Sequence, residues 1–497
     1  MRISEVLQAR HDIRLDAKHS AFAYQVQAVE AVKALPYAAL FHEQGLGKTK
    51  IGIDLGLHWL ASKIVDTVLV VTKRSLIENW SEEVRAHTHL VARVLDQNHG
   101  SNFFAFNSPS RFYLAHYEVL KSEEARIALF LKTRRVGVIL DESHKIKNPD
   151  AALSRAFHRL ADGFARRVIM TGTPVANRPY DLWSQIYFLD KGNALGPDFA
   201  EFRRKLDLRN DLWQEGGKRA EFERELAGVF AKIKPFTVRE TKGTAGIELP
   251  EKSVENVEVE LEKSQAELYE KYRAELRAEI VRDGVLVDDD AEDILKRLLR
   301  LVQVASNPAL VDHSYCNTPG KLPLLLKLVE EGLAEGSKII VWTSFVDNVE
   351  WLAEQLSLFG SVFVHGALPM VERNVAIKAF KTDPGARVLV ATPGAAKEGL
   401  TLTMANHAVF YDRSFSLDDY LQAQDRIHRI SQKHACYVWN LVGAYTVDEW
   451  VDSLLAAKRL AAQLAQADIT AEEYKRLANY DFGRIVRNVL GLEGEGA

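Results

Sequence analysis

Short apolar runs, each closed by a polar loop, recur through the first part of the chain. Ala38–Phe41, Val68–Val71, Phe112–Ala115, Val136–Leu140 and Arg167–Met170 have the length and β-branched content of buried strands. Between them the spacing turns helical, with Val26, Val29, Ala31 and Val32 on one stretch and Ile51 to Leu60 on another. Strand, loop and helix alternating over residues 36 to 190 predict one doubly wound parallel sheet. From 191 to 250 the strand pattern lapses into charged helix, with Arg203-Arg204-Lys205 and Lys218-Arg219 on solvated faces. Residues 262 to 304 are again helical, broken by the acidic loop Asp288-Asp289-Asp290. The alternation returns after Gly320, in Lys338–Trp342, Val362–Val364, Arg387–Ala391 and Val409–Tyr411. The fold class is therefore α/β: two doubly wound parallel-sheet lobes with helical insertions between them. The expected domains are 1–192, 193–319 and 320–480, followed by a tail, 481–497.

Composition narrows the class without choosing a partner. With 47% hydrophobic and 27% charged residues among 497, the chain reads as soluble and globular. Its start lacks the apolar core of a secretory signal, and no apolar run reaches the length needed to span a bilayer. An intracellular, cytoplasmic and nucleoid-associated protein with no membrane partner is expected. Cys316 and Cys436 are the two cysteines, without pair spacing or neighbouring histidine ligands, so neither a zinc site nor a disulfide framework is expected. A net charge of −4 neither announces nor excludes nucleic acid, because binding depends on where cations cluster.

The loops carry the chemistry. His42-Glu43-Gln44-Gly45-Leu46-Gly47-Lys48-Thr49 joins a strand to a helix, where Gly45 and Gly47 let backbone N–H groups close on phosphate oxygens. Lys48 can reach the β- and γ-phosphates, and the Thr49 hydroxyl can ligate Mg²⁺. His42 stands where the longer glycine pattern has its first glycine, so only G-x-G-K-T is matched. Upstream, the Gln25 amide can meet adenine's edges; the alternative is a solvated helix glutamine. Asp141-Glu142, at the end of a strand, is the acidic pair that ATP hydrolysis asks for. Asp141 would hold Mg²⁺ and Glu142 would orient and deprotonate water; a capping pair at a helix start is the alternative. Thr171-Gly172-Thr173-Pro174 offers hydroxyls, on Thr171 and Thr173, that could relay the γ-phosphate state. Lys73, Arg74 and Ser75 form a basic loop that could hold a phosphate backbone or simply be solvated. In the second half, Gln422, Arg426 and Arg429 share one face if Gln422–Gln432 is helical, and a pair of guanidinium groups can neutralise a transferring phosphoryl.

Glu43–Thr49, Asp141–Asn148 and Met170–Asn177 resemble motifs I, II and III of the Swi/Snf-type ATPases of helicase superfamily two. Asp181-Leu182-Trp183-Ser184-Gln185 is similar to the same family, and Gln422–Gln432 resembles its motif VI. The resemblance extends from about Gln25 to Glu449. Departures occur at Ser431, Thr401, Lys73, Ala23 and Asp412–Phe415, marking a divergent member.

That resemblance implies two RecA-like lobes with an ATP·Mg²⁺ site in the cleft between them. Lys48, Thr49, Asp141 and Glu142 would serve it from the first lobe, and Gly399, Gln422, Arg426 and Arg429 from the second. Loops containing Lys73, Ser75, Tyr117, Thr343, His365 and Thr403 would grip a phosphate backbone, independently of sequence. The implied activity is translocation on double-stranded or branched DNA, remodelling DNA structures or displacing bound proteins. A strand-separating DNA or RNA helicase and a nucleotide-gated scaffold with little hydrolysis are the alternatives.

Overall fold

The computed structural model describes residues 14–175, 178–206, 216–282, 285–286, 291–396, 402–477, 486 and 488–491. Ala176, Asn177, Asp288–Asp290, Glu398–Thr401 and nearly all of the expected tail lie outside these residues. The chain divides into two compact units. The first holds the described residues of Met1–Asp207, Arg224–Glu248 and Leu464–Ile469; the second holds those of Leu208–Glu223, Leu249–Gln463 and Thr470–Ala497.

In the first unit seven strands form a parallel sheet: β1 (Tyr37–His42), β2 (Thr67–Thr72), β3 (Arg93–Leu95), β4 (Phe112–His116), β5 (Val136–Asp141), β6 (Arg166–Met170) and β7 (Thr237–Glu240). Their order is β3-β4-β2-β5-β6-β1-β7. Helices cover the central strands on both faces, which is why those strands are continuous apolar runs rather than alternating ones. Every residue of β2, β4 and β5 is buried. One side of the core is closed by the helices Ala23–Val32, Lys48–Ala61 and Ile77–His87, whose Val32, Ile51, Leu55, Trp59, Trp80 and Val84 pack on Leu40, Val70 and Ile139. The helix Lys48–Ala61 approaches closely because of Gly52. A Cβ there would sit 3.2 Å from the Trp80 ring and 3.3 Å from the Met170 side chain.

The second unit carries a six-stranded parallel sheet. Its strands are β8 (Lys252–Val259), β11 (Lys338–Trp342), β12 (Ser361–Val364), β13 (Val388–Ala391), β14 (Ala405–Phe410) and β15 (Cys436–Gly443), in the order β12-β13-β11-β14-β15-β8. A separate antiparallel pair, β9 (Val281–Arg282) and β10 (Val285–Leu286), lies between the helices Lys263–Ile280 and Ala291–Ser306.

β7 lies in the stretch that the pattern reads as helical, and β8 in the short gap between the two helical stretches, where no strand is expected. β8 pairs with β15 in register over its whole length, Lys252 with Cys436 through Val259 with Gly443. Both strands sit at sheet edges and are half-exposed, so they lack the apolar runs that marked the others. The chain also returns to the first unit at Leu464–Ile469, where Asp468 accepts a forked pair of bonds from Arg239 on β7, at 3.0 and 2.6 Å.

Candidate functional site

Parallel strands deliver their carboxyl ends to one edge of the first sheet, and the chemistry-bearing loops gather there. After β1, Gly45 and Gly47 take φ of 88° and 66°, in the left-handed region that favours glycine. Gly47 caps the helix Lys48–Ala61 without any side-chain bond to the first turn. Gln25, wholly within the core, closes the other side of this loop. Its Nε2 donates to the Leu46 carbonyl at 3.2 Å, and its Oε1 accepts from Phe22 N–H at 2.9 Å. A Cβ on residue 47 would lie 2.4 Å from that Nε2, so the glutamine and the glycine require each other. Lys48 Nζ rests on the carbonyls of His42, at 3.0 Å, and Glu43, at 3.4 Å. His42 is fully buried, and burial, with Lys48 and Arg239 nearby, pulls its imidazole down to about 3.

The acidic turn follows β5. Asp141 Oδ2 accepts from Trp80 Nε1 at 2.8 Å and from Thr72 Oγ1 at 3.1 Å, and Oδ1 accepts from Glu142 N–H at 3.0 Å. Burial first and Glu142 second push the Asp141 carboxyl up; the Trp80 indole, Lys48 and Thr72 hold it down. Glu142 has φ of 55° and ψ of 48°, a left-handed conformation that costs a non-glycine residue on the order of 1–2 kcal/mol. That turn brings its Oε2 to 3.3 Å from His144 Nδ1, and the same nitrogen lies 3.5 Å from Thr171 Oγ1. Thr171 Oγ1 also accepts from Thr173 N–H at 3.2 Å.

The third loop packs onto the first. A Cβ on Gly172 would lie 2.6 Å from Gln44 Cγ and 3.2 Å from Lys48 Nζ. The third loop is also tied to the acidic turn: Ser143 Oγ donates to Gln185 Oε1 at 2.7 Å, and Gln185 Nε2 donates to the carbonyls of Pro174, at 3.0 Å, and Asp181, at 2.9 Å. The structure thus brings Gln25, Gly45, Gly47, Lys48, Asp141, Glu142, Thr171 and Thr173 into one set of interlocked loops, with Thr49 on the first turn of the helix behind them.

The residues expected to grip a backbone divide. Arg74 is exposed and Ser75 half-buried, whereas Lys73 is largely buried. Tyr117 is fully buried and its hydroxyl donates to the Asp141 carbonyl at 2.8 Å, which makes it a support of the acidic turn and not a surface contact. Thr343 and His365 need the same correction. Thr343 is buried with its hydroxyl donating to Asp412 Oδ2 at 2.5 Å, and His365 is buried with Nε2 3.0 Å from Glu350. Thr403 is half-buried, its hydroxyl 3.0 Å from that of Ser431.

In the second unit the helical premise for the arginines does not hold. The helix runs Leu417–Gln424, and Asp425 to Arg429 continue as turns. Gln432 braces the break: its Nε2 donates to the carbonyls of Ile427, at 2.9 Å, and Ala405 on β14, at 3.0 Å. Arg426 is buried; Arg429 is half-buried, with Nε donating to the Asp425 carbonyl at 2.8 Å. Gln422 is buried on the helix, donating to Asp418 Oδ1 at 2.6 Å. Gly399 lies outside the described residues. Asp412, which sequence reasoning noted only as a departure, accepts from Ser306 at 2.7 Å, Thr343 at 2.5 Å, Asn348 at 3.3 Å and Ser344 N–H at 2.6 Å. Trp80 was missed too. Among the described residues no group of three or more His, Cys, Asp or Glu side chains is placed to hold a metal ion, and no helix is long and apolar enough to cross a membrane.

Residues 320–431 match the helicase conserved C-terminal domain. An uncharacterized ATP-dependent helicase of Mycoplasma genitalium is 26% identical over 437 residues, covering 86% of this chain and 40% of that protein. The human SWI/SNF-related matrix-associated actin-dependent regulator of chromatin subfamily A member 1 is 26% identical over 473 residues, covering 90% of this chain and 44% of that protein. The chain thus spans less than half the length of either relative. A solved structure, the Sulfolobus solfataricus SWI2/SNF2 ATPase core in complex with dsDNA, is 26% identical and covers 93% of this chain and 98% of its own, with a TM-score of 0.41. Residues 27–310, more than half of the 497, match the SNF2-related domain, and the chain therefore belongs to the SNF2-related family, the Swi/Snf-type group of helicase superfamily two.

Proposed function

We propose that this chain is a DNA-dependent ATPase that translocates on double-stranded DNA, remodelling DNA structures or displacing bound proteins. The observation that carries the reading is the convergence of the phosphate loop, the Asp141-Glu142 turn and the Thr171–Pro174 turn at one sheet edge, with Lys48 Nζ only 3.2 Å from where a Cβ on Gly172 would be. Gly45, Gly47 and Lys48 bind the nucleotide's phosphates. Gln25 holds the loop through one bond from Nε2 and one to Oε1, which leaves its amide a second N–H and a second lone pair for a base. Glu142 orients and deprotonates water, and the His144–Thr171 contacts pass the state of the γ-phosphate to the Thr173 turn.

The donors suit Mg²⁺: the Thr49 hydroxyl and the carboxylates of Asp141 and Glu142 are all hard oxygen ligands. When bound, the ion supplies neutralisation of the phosphate charge. By the family resemblance, Gly399, Gln422, Arg426 and Arg429 are further ATP-binding residues, with the arginines neutralising charge on the transferring phosphoryl. Arg74, Ser75, Lys73 and Thr403 hold the DNA backbone.

ATP hydrolysis measured with duplex, single-stranded, forked and RNA ligands tests this reading, alongside triplex displacement and strand displacement. Duplex stimulation with triplex displacement is expected. Unwinding of duplex without triplex displacement would replace translocation by strand separation. Hydrolysis indifferent both to duplex and to Glu142→Gln would leave a nucleotide-gated scaffold.

A further inference from the structure

Asp141 is held from three sides, and two of the holds come from one short stretch of chain. Thr72, the last residue of β2, donates to Oδ2 at 3.1 Å, and Trp80, on the helix Ile77–His87, donates to the same oxygen at 2.8 Å. Between them run Lys73 to Leu76, with Arg74 exposed and the Ser75 hydroxyl without a partner among the described residues. The loop proposed for the DNA backbone and both side-chain donors to the carboxylate are therefore contiguous. Nothing in this stretch is free to move alone. Trp80 is fully buried, its ring lies against Gly52 of the phosphate-loop helix, and Leu76 N–H bonds back to the Lys73 carbonyl at 2.9 Å. A displacement of the loop displaces the start of the helix and with it the indole. Tyr117, at the end of the neighbouring strand β4, fixes the Asp141 backbone through its carbonyl at 2.8 Å, so the carboxylate is the part left for Trp80 and Thr72 to aim.

We propose that Trp80 is a positioning residue through which the loop Lys73–Leu76 regulates the Asp141 carboxylate. A duplex backbone engaged at the loop steadies the indole N–H that lies on Oδ2, and this fixes how Oδ1 is presented to the nucleotide. The inference rests on the ATPase reading above and adds the route by which DNA reaches the acidic turn.

Trp80→Phe retains an aromatic ring in the core and removes the N–H; Thr72→Val retains shape and removes the O–H, and Thr72→Ser restores it. Two quantities are read on the full chain: the ratio of duplex-stimulated to basal hydrolysis, and the Mg²⁺ concentration needed for equilibrium binding of a fluorescent ATP analogue. For Trp80→Phe the ratio falls on the order of tenfold and the Mg²⁺ requirement rises by about as much, the scale set by one bond to a charged acceptor. Thr72→Val shifts both the same way and Thr72→Ser recovers both. Folded Trp80→Phe with both quantities unchanged overturns the proposal. If that variant does not fold, an inert Thr72→Val overturns it equally. A wild-type chain that hydrolyses no ATP with any nucleic acid removes the ATPase reading itself, whereas normal wild-type stimulation with inert variants removes only the role of Trp80.

Discussion

Ser143 Oγ donates to Gln185 Oε1 at 2.7 Å, and through that one amide the acidic turn is fastened to the carbonyl of Pro174. Both side chains are fully buried. The residue after the Asp-Glu pair is thus joined to the Thr171–Pro174 turn without passing through the substrate.

Replacing Gln185 by Leu strands a hydroxyl and two carbonyls in the core. Stability is expected to fall by roughly 2–4 kcal/mol, read from the denaturant midpoint. Gln185→Glu should be no better: its carboxylate can accept from Ser143 but meets the Pro174 and Asp181 carbonyls with no donor. Turnover should fall further than nucleotide affinity in both, because the phosphate loop itself is untouched.

Gly47→Ala meets two obstacles, a positive φ and a Cβ 2.4 Å from Gln25 Nε2. The expected cost is about 1–2 kcal/mol from the backbone alone, with nucleotide affinity reduced on the order of tenfold or more. Adding Gln25→Ala removes the clash and leaves the dihedral. In a double-mutant cycle read by melting temperature, the pair should therefore lose less than the sum of the single changes. Strict additivity would show that the amide does not support the loop.

His42 links stability to pH. Its imidazole titrates at about 3 in the folded chain against 6.5 unexposed to these influences, so the unfolded chain binds the proton first as pH falls. The contribution is complete above pH 6.5 and is lost progressively between 6.5 and about 3. The slope attributable to this group is at most about 1.4 kcal/mol per pH unit. Both ring nitrogens are without a hydrogen-bond partner among the described residues, so His42→Leu should flatten that slope and leave stability at pH 7 equal or higher. Denaturation at pH 7.5, 6 and 5 separates the two profiles; parallel profiles would refute the assignment.

Asp412→Ala should destabilise the second unit by roughly 3 kcal/mol or more, since the Ser306 and Thr343 hydroxyls and the Ser344 N–H lose their acceptor and Asn348 loses one of its three. Asp412→Asn should recover part of the loss. Equal losses for the two variants, measured by denaturant titration, would mean that one retained oxygen recovers nothing and that both carboxylate oxygens are needed.

The central strands were readable because burial on both faces leaves a signature that survives in one dimension: Val68–Val71 and Val136–Leu140 are apolar at every position but one. Edge strands have no such signature. β7 is Thr-Val-Arg-Glu and merged with the charged helix around it, and β8, Lys-Ser-Val-Glu-Asn-Val-Glu-Val, is too polar to stand out between the helical stretches. The phosphate loop, the acidic pair and the Thr-Gly-Thr-Pro turn were visible because their spacing is local. Trp80 was not, since its meaning depends on Asp141, 61 residues away, and a tryptophan on an amphipathic helix reads as core. Tyr117 and Thr343 misled for the opposite reason: a polar residue just past a strand suggests a surface, and only three dimensions show it turned inward onto a carbonyl or a carboxylate. The arginines' turn depended on Gln432 reaching back to Ala405, which no helical periodicity contains.

The pairing of Arg239 with Asp468 spans 229 residues of chain. During synthesis, β7 emerges from the ribosome long before the acid that completes it; in the folded chain its guanidinium also donates to the Phe41 carbonyl at 2.8 Å. The first unit can thus assemble its sheet early but receives this last charge pair only after residues Leu249–Gln463 of the second unit have been made. A protease cut between residues 443 and 464 would sever the peptide route to that acid while leaving every strand of both sheets intact.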